Sequence, residues 1–476
     1  MTSVSTSDDL DHRLAGGLGV AVIATSSLGD RSYLATDGET ALVVDPQRDV
    51  DRFLGAAGRL GVGVALVVET HVHNDYVSGG LELARLTGAE YGVAAADAAP
   101  FEHRPLRDGE TIELSSSMRV RVVSTPGHTY HHLSYVLEGE QGPVGVFTGG
   151  SLLFGTTGRT DLQGSEHSHQ LAQHQYASAR KLVEMLPDGA QIWPTHGFGS
   201  FCAAGGTSGD SATIGEQKTV NPALTLAESD FVTRMLTGLD TYPAYYVHMG
   251  VRNAQGPEPL DLRAPSPATP ETLRRRLDAG EWVVDLRSRT AYVYSHLAGT
   301  VSMGLDGPMA TWLGWMIDWG APLTLLGETQ QQVAEAQREL ARIGIDSFAG
   351  AAAGQPRELA LDPQQLRSTP SATFVDLAAA RGGGAERFPT PDVVLDVRTN
   401  NEWKSAHVAG AVHIPLYELK DRTTELPSGS VWVHCGSGYR ATAAASVLQN
   451  AQREVVLIDD FFDNAAAAGL AMSSDT

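Results

Sequence analysis

Two groups of residues carry chemistry by their type and spacing. The first is a set of histidines at the ends of apolar runs. The stretch Val64–Glu69 leads into Thr70-His71-Val72-His73-Asn74-Asp75-Tyr76, and further histidines stand in Thr125-Pro126-Gly127-His128 and Pro194-Thr195-His196-Gly197. Neutral imidazole suits Zn(II) or Fe(II), and metal sites draw such ligands from several loops held by a rigid scaffold. The alternative is a set of surface or core histidines with no metal. The second group is Cys435-Gly436-Ser437-Gly438-Tyr439-Arg440, between an apolar run Val431–His434 and a helical pattern Ala441–Gln449. A strand, a glycine-rich loop and a helix start together make an anion cradle of converging amides. A cysteine at its base is expected to have a lowered pKa and to exist partly as the nucleophilic thiolate. Gly436 and Gly438 let the chain curl around the sulfur, and Arg440 can balance the anion. A buried inert cysteine is the alternative.

These groups must be positioned by the elements around them. Val-rich runs bounded by Gly, Pro or Asp predict strands at Val20–Thr25, Thr40–Val44, Val64–Glu69, Arg119–Val123 and Val144–Phe147. Apolar positions three and four residues apart predict helices at Leu81–Thr87 and His169–Leu186. Mixed strands and helices with histidines in the loops fit an α/β sandwich. The Gly/Ser-rich stretch 197–221 is expected to be a long loop, and the Pro-rich stretch 252–270 a linker.

An internal repeat follows. Asp285-Leu286-Arg287 matches Asp396-Val397-Arg398, Tyr292 matches Trp403, and His296–Gly299 matches His407–Gly410, all at one offset of 111 residues. Two copies of one α/β unit therefore close the chain. The first copy has no cysteine, and its equivalent loop region reads Ala321–Glu328. Without a thiolate it has no nucleophile, and it is expected to be structural. The expected organisation is a disordered N-terminus (1–16), a histidine-bearing domain (17–253), a linker (254–270), the silent copy (271–355), a second linker (356–370) and the cysteine-bearing copy (371–476).

A chain of 476 residues is too long for one hydrophobic core. A net charge of −22 argues against nucleic acid or an anionic membrane as the main partner. Two cysteines cannot form a disulfide framework, so a reducing, cytoplasmic location is expected. The first residues, Met1 to about Leu14, have no apolar core and read as neither signal peptide nor anchor, and no run approaches a membrane span of ~20 apolar residues.

Over about residues 17–250 the sequence resembles the metallo-β-lactamase superfamily, nearest to its persulfide dioxygenase branch, which is similar to glyoxalase II. The carriers are His71-Val72-His73-Asn74-Asp75, Thr125–His128, Phe147-Thr148-Gly149, Gly158-Arg159-Thr160-Asp161 and the His196 loop. The resemblance implies an αββα sandwich. Tyr76 stands where the family has the histidine serving a second metal, and Gly150 where it has a ligating aspartate. What the family pattern leaves is His71, His73 and His128 around one divalent metal, Fe(II) or Zn(II). Asp75 and His196 would orient a metal-bound water or hold the ligands through hydrogen bonds. Arg159 would grip a substrate carboxylate or pair internally with Asp161. Cys202 reads by default as a buried structural thiol, with a sulfur-relay role as the alternative.

Residues 371–474 resemble the rhodanese family, and the six-residue loop from Cys435 to Arg440 matches its sulfurtransferases. The resemblance implies that Cys435, assisted by Arg440 and bound through Gly436, Ser437, Gly438 and Tyr439, accepts a sulfane sulfur and passes it to a thiol, sulfite or cyanide. Gly436 departs from the Arg or polar residue often found there, which disfavours dianionic thiosulfate and favours a low-molecular-weight persulfide. The whole arrangement is similar to persulfide dioxygenase–rhodanese fusions of bacterial sulfide detoxification. It implies a small persulfide or thiol substrate, oxidation of its terminal sulfur at bound iron, linkage that raises the local concentration of one site at the other, and a homo-oligomer. The alternatives are a mononuclear zinc thioesterase and a metal-free sensor or docking domain.

Overall fold

The computed structural model describes residues 10–207, 209–383 and 387–475. The disorder expected over residues 1–9 lies outside them. Residues 10–16, also expected to be disordered, are tethered: His12–Arg13 pairs antiparallel with Gly19–Val20, and Leu10 and Leu14 pack on the core. The chain forms two compact units, residues 1–260 with 341–344, and residues 261–340 with 345–476. The two repeat copies therefore share one unit. No helix among the described residues is long and apolar enough to cross a membrane.

In the first unit a seven-stranded sheet runs in chain order from His12–Arg13 to Arg104–Leu106, and a six-stranded sheet runs from Ala212–Thr213 to Thr111–Glu113. Side chains alternate along each strand, and the two faces go to different cores. Leu42, Val44, Leu66 and Val68 of the first sheet meet Val120, Tyr135, Phe147 and Trp193 of the second. Their neighbours Val43 and Val67 turn outward onto Phe53 and Leu83, from the helices Asp51–Leu60 and Gly80–Thr87. Val136 and Val146 turn outward onto Ala179 and Leu182 of the helix Ser168–Met185. Because both faces are covered, the strands read as nearly continuous Val-rich runs, and the result is the expected αββα sandwich. One local expectation fails. Within 197–221, Thr213 and Glu216 form a capping box that starts a helix at Ile214–Val220, preceded by the short strand Ala212–Thr213. The local Thr-x-x-Glu signal outweighs the loop-like composition.

In the second unit, Trp282–Asp285 pairs in parallel with Val301–Ser302 and Leu323–Gly327, as Val393–Asp396 does with Val412–His413 and Ser430–His434. The repeated residues explain themselves here. Arg287 and Arg398 each grip the aspartate two residues earlier through Nε and a terminal nitrogen, and each donates to a backbone carbonyl, Ser295 O or Ala406 O. Tyr292 stacks on His296 and Trp403 on His407, with ring centroids 3.9 and 3.6 Å apart. These shared motifs hold the strand to the following turn; they are architecture rather than chemistry. Asp396 and Arg398 are buried, so Asp396→Ala should leave an uncompensated cation and lower unfolding free energy by about 3–5 kcal/mol, measurable in urea.

The linker expected at 356–370 is also part of the fold. Leu366–Arg367 pairs antiparallel with His296–Leu297, and Leu359 and Leu366 pack on the silent copy's core. The corresponding pairing in the second copy joins His407–Val408 to Met472–Ser473. Closing that edge needs a strand from far along the chain, which a Gln- and Pro-containing stretch does not advertise.

Candidate metal centre and sulfur-transfer loop

The strand Gly63–Val68 delivers His71 and His73 to one end of the sandwich, where His128 and His196 also arrive from the loops after Arg119–Ser124 and Gln191–Pro194. All four are buried. One ring nitrogen each of His71, His128 and His196 lies within 4.8 Å of the others, and Nε2 of His71 and of His196 are 3.3 Å apart. Tetrahedral nitrogen ligands at about 2.1 Å from a metal stand roughly 3.4 Å apart, so the spacing fits. The far side of each ring is held in the way metal-ligating histidines require. His71 Nδ1 lies 2.9 Å from Thr70 Oγ1, whose hydroxyl is itself donated to Asp45; His128 Nδ1 donates to Arg159 O at 2.7 Å; His196 Nδ1 stands 3.1 Å from both Asp30 and Asp75. His128 Nε2 is buried with no hydrogen-bond partner. Burial holds His71 and His128 well below the usual imidazole range, reinforced by their imidazole neighbours, so both rings are neutral and could ligate a metal. Burial also opposes charge on His196, but Asp75 and Asp30 outweigh it and raise the group to about 9. A site that favours positive charge at this ring suits a cation there.

His73 commits only one of its nitrogens to carboxylates, and its Nδ1 is buried with no hydrogen-bond partner. Its Nε2 lies 3.2 Å from Asp45 and 3.4 Å from Glu69, with the Tyr76 hydroxyl at 3.0 Å and the Tyr76 ring stacked beneath. The two carboxylates overcome the burial penalty and raise His73 to about 10. The three-imidazole group therefore contains His196 in place of the expected His73. His73 groups instead with Asp75 and His196, or with Asp45 and Glu69. The sequence could not reveal this, because Asp45 and Glu69 lie outside the histidine motif.

The other expected site residues have equally definite places. Asp75 Oδ2 stands 3.1 Å from His196 Nδ1, and Oδ1 stands 3.9 Å from His73 Nδ1. Arg159 does not face an open site: it is bidentate to Asp161 at 2.6 and 2.8 Å and donates to the carbonyls of Phe201 and Asp240. Four of its five N–H donors committed internally leave little for a substrate carboxylate. Cys202 is buried, 3.8 Å from the Tyr246 hydroxyl, and burial raises its thiol well above the ordinary range. Gly150, at the position where the resemblance implies an aspartate, lies against His128, so that a Cβ there would collide with the imidazole. Its amide donates to Nε2 of His132 at 3.0 Å, a buried histidine that motif reading passed over. A small pocket beside the centre is lined by His71, His73, Tyr91, Val93 and Phe101.

In the second unit, Ser430–His434 runs into the Cys435 loop and the helix Tyr439–Asn450. Cys435 is buried, and its sulfur accepts the Gly438 amide at 3.2 Å, at the start of that helix. Gly438 has φ +94°, and a side chain there would clash with Asp459. Ser437 is exposed at the loop tip, and Gly436 O accepts from the Phe462 amide. Tyr439, expected at the substrate, donates its hydroxyl to Gly304 O of the silent copy at 2.8 Å and is committed there. Arg440 is bidentate to Glu402 at 2.5 and 2.8 Å, a partner the motif did not announce. In the silent copy the strand register places Gly327 where Cys435 stands, and only residues 328–329 separate strand from helix, against 435–438 in the active copy. There is no cradle to form.

Comparison with known proteins agrees with this geometry. Residues 30–196 match the Metallo-beta-lactamase superfamily and residues 384–468 the Rhodanese-like domain. The human mitochondrial persulfide dioxygenase ETHE1 is 28% identical over 218 residues, 45% of this chain and 77% of that protein. A hydroxyacylglutathione hydrolase of Gloeobacter violaceus is 31% identical over 184 residues, 37% of this chain and 68% of that protein. A solved metallo-beta-lactamase of Staphylococcus aureus superposes with a TM-score of 0.63 at 26% identity, covering 71% of this chain and all of that one. The chain belongs to the metallo-β-lactamase superfamily, as a homologue of persulfide dioxygenases and hydroxyacylglutathione hydrolases that carries a rhodanese-like domain at its C-terminal end.

Proposed function

We propose that this enzyme of sulfur metabolism acts on low-molecular-weight persulfides, with Cys435 as the sulfurtransferase nucleophile and the histidine centre as a persulfide-oxidising site. The observation that carries the reading is the sulfur of Cys435 receiving the Gly438 amide at a helix start. That amide and the helix terminus stabilise negative charge on sulfur. The Cys435 thiolate attacks the outer sulfur of R–S–SH. The donor's S–S bond breaks, RS⁻ leaves with the electron pair, and Cys435 keeps the sulfur and its proton as a persulfide. A second thiolate then removes it by the same displacement.

A divalent ion held by His71, His128 and His196 would supply Lewis acidity and open coordination positions. The chain's own part is to keep His71 and His128 neutral and all three rings fixed: Thr70, Arg159 O and Asp30 hold their outer nitrogens. The overall reaction assigned to this site consumes one O₂ and one water per persulfide and yields a thiol and sulfite.

The test is direct. Brief exposure of the purified protein to glutathione persulfide should add the mass of one sulfur atom to the peptide containing Cys435, removable by excess thiol. A peptide that stays unmodified refutes the transferase reading. The neutral three-nitrogen donor set also matches mononuclear zinc sites, which supports a second reading, thioester hydrolysis. Oxygen uptake on glutathione persulfide separates them, since a hydrolase consumes none.

A further inference from the structure

Two guanidiniums that lie against the Cys435 loop are each tied to carboxylates. Arg440 is bidentate to Glu402. Arg289, contributed by the silent copy, is 2.9 Å from Asp459 and 3.6 Å from Asp306. These pairs lie against the loop itself. A Cβ at Gly436 would come within 3.1 Å of Arg440 and 3.6 Å of Glu402, and one at Gly438 within 3.1 Å of Arg289 Nε. Trp312, also from the silent copy, lies under the Arg440 guanidinium at 5.3 Å. Glu402 is held in place independently of Arg440. It closes the capping box of the helix Asn400–Ser405, with Oε2 accepting the Thr399 amide at 3.0 Å. At the same repeat position the silent copy has Ala291, so this carboxylate is peculiar to the copy with the cysteine.

We propose that Glu402 is a specificity-determining residue that neutralises Arg440 and so sets the loop to accept singly charged or neutral sulfane donors, such as alkyl persulfides, and to exclude dianions such as thiosulfate. The inference rests on the sulfurtransferase reading above and goes beyond it by assigning the charge class of the donor. Two guanidiniums face three carboxylates around the loop, so a donor bringing two negative charges finds no uncommitted cation. An alkyl persulfide brings at most one, placed on the sulfur that the amides and helix start receive. Both donors use the same displacement. With thiosulfate, Cys435–S⁻ attacks the outer sulfur, the S–S bond breaks and sulfite leaves with the electron pair, with total charge conserved. Donor choice is therefore decided by binding and by charge in the transition state, not by a different reaction.

Glu402→Gln in the full chain is the informative variant. Glutamine keeps the capping box and can still hydrogen-bond Arg440, but it removes the neutralising charge. Its kcat/KM with thiosulfate should rise at least about tenfold, mostly through a lower KM, while kcat/KM with glutathione persulfide changes by less than about threefold. Glu402→Asp, which retains the charge, should stay on the unaltered protein's side of that ratio. In the unaltered protein sulfate should not slow alkylation of Cys435 by iodoacetamide, and in Glu402→Gln it should. An unchanged thiosulfate-to-persulfide ratio in Glu402→Gln overturns the proposal. So does protection of the unaltered protein by sulfate, a measurement that needs no variant to fold. If Cys435 takes sulfur from neither donor, the transferase reading fails instead; if the unaltered protein prefers thiosulfate, only the charge-class assignment falls.

Discussion

Cys435→Ser is expected to reduce sulfur transfer from glutathione persulfide by roughly 10⁴-fold or more, because the variant loses the only group here able to hold a labile sulfur. A serine hydroxyl is not deprotonated near neutral pH by a helix start and a single amide, and oxygen cannot form the disulfide-like intermediate. The substitution is nearly isosteric in a buried position, and the Gly438 amide can donate to the new hydroxyl as it does to sulfur. The fold should therefore survive, with stability changed by about 1 kcal/mol or less. Oxygen uptake by the histidine centre should persist in the same variant, since no residue of that centre is touched. Transfer that survives the substitution would mean that the sulfur carrier is another group, and Cys202, the second cysteine, is held protonated by burial.

The second large effect concerns the histidines. His196→Ala should strip the centre of stoichiometric metal during purification, and Asp75→Asn should weaken metal affinity by about 10–100-fold, because it releases the ring that His196 presents. His73→Ala should do the opposite. Metal should remain, but Asp45 and Glu69 would be buried without their shared imidazolium, and unfolding free energy should fall by about 3 kcal/mol. Metal quantification and denaturant unfolding on the same three proteins read both effects. Metal loss in His73→Ala with retention in His196→Ala would reverse the assignment and return the centre to the grouping His71, His73 and His128.

What could be read along the chain was local. A strand ending in His-x-His, a cysteine between a strand and a helix, and the repeat of Asp-x-Arg with an aromatic–histidine pair are each built from neighbouring residues. Their geometry follows from strand and helix periodicity, so an α/β sandwich, the paired copies and Cys435 were all legible, while the αββα layering came from the family resemblance. Even there, composition misled where a capping box or a late edge strand took over, at Thr213–Glu216 and Leu366–Arg367.

The inventory of reactive groups, four histidines and one poised cysteine, is thus a property of the linear chain. Which imidazoles face one another, and what charge the cysteine loop presents, belongs to the folded molecule. His196 becomes a ligand candidate because Asp30, on a distant strand, holds its outer nitrogen; His73 is diverted by Asp45; Arg440 is neutralised by Glu402. The physical reason is the same each time. A buried ring or guanidinium points where its charge or proton is best satisfied, and the partners that decide this are brought alongside only by long-range packing.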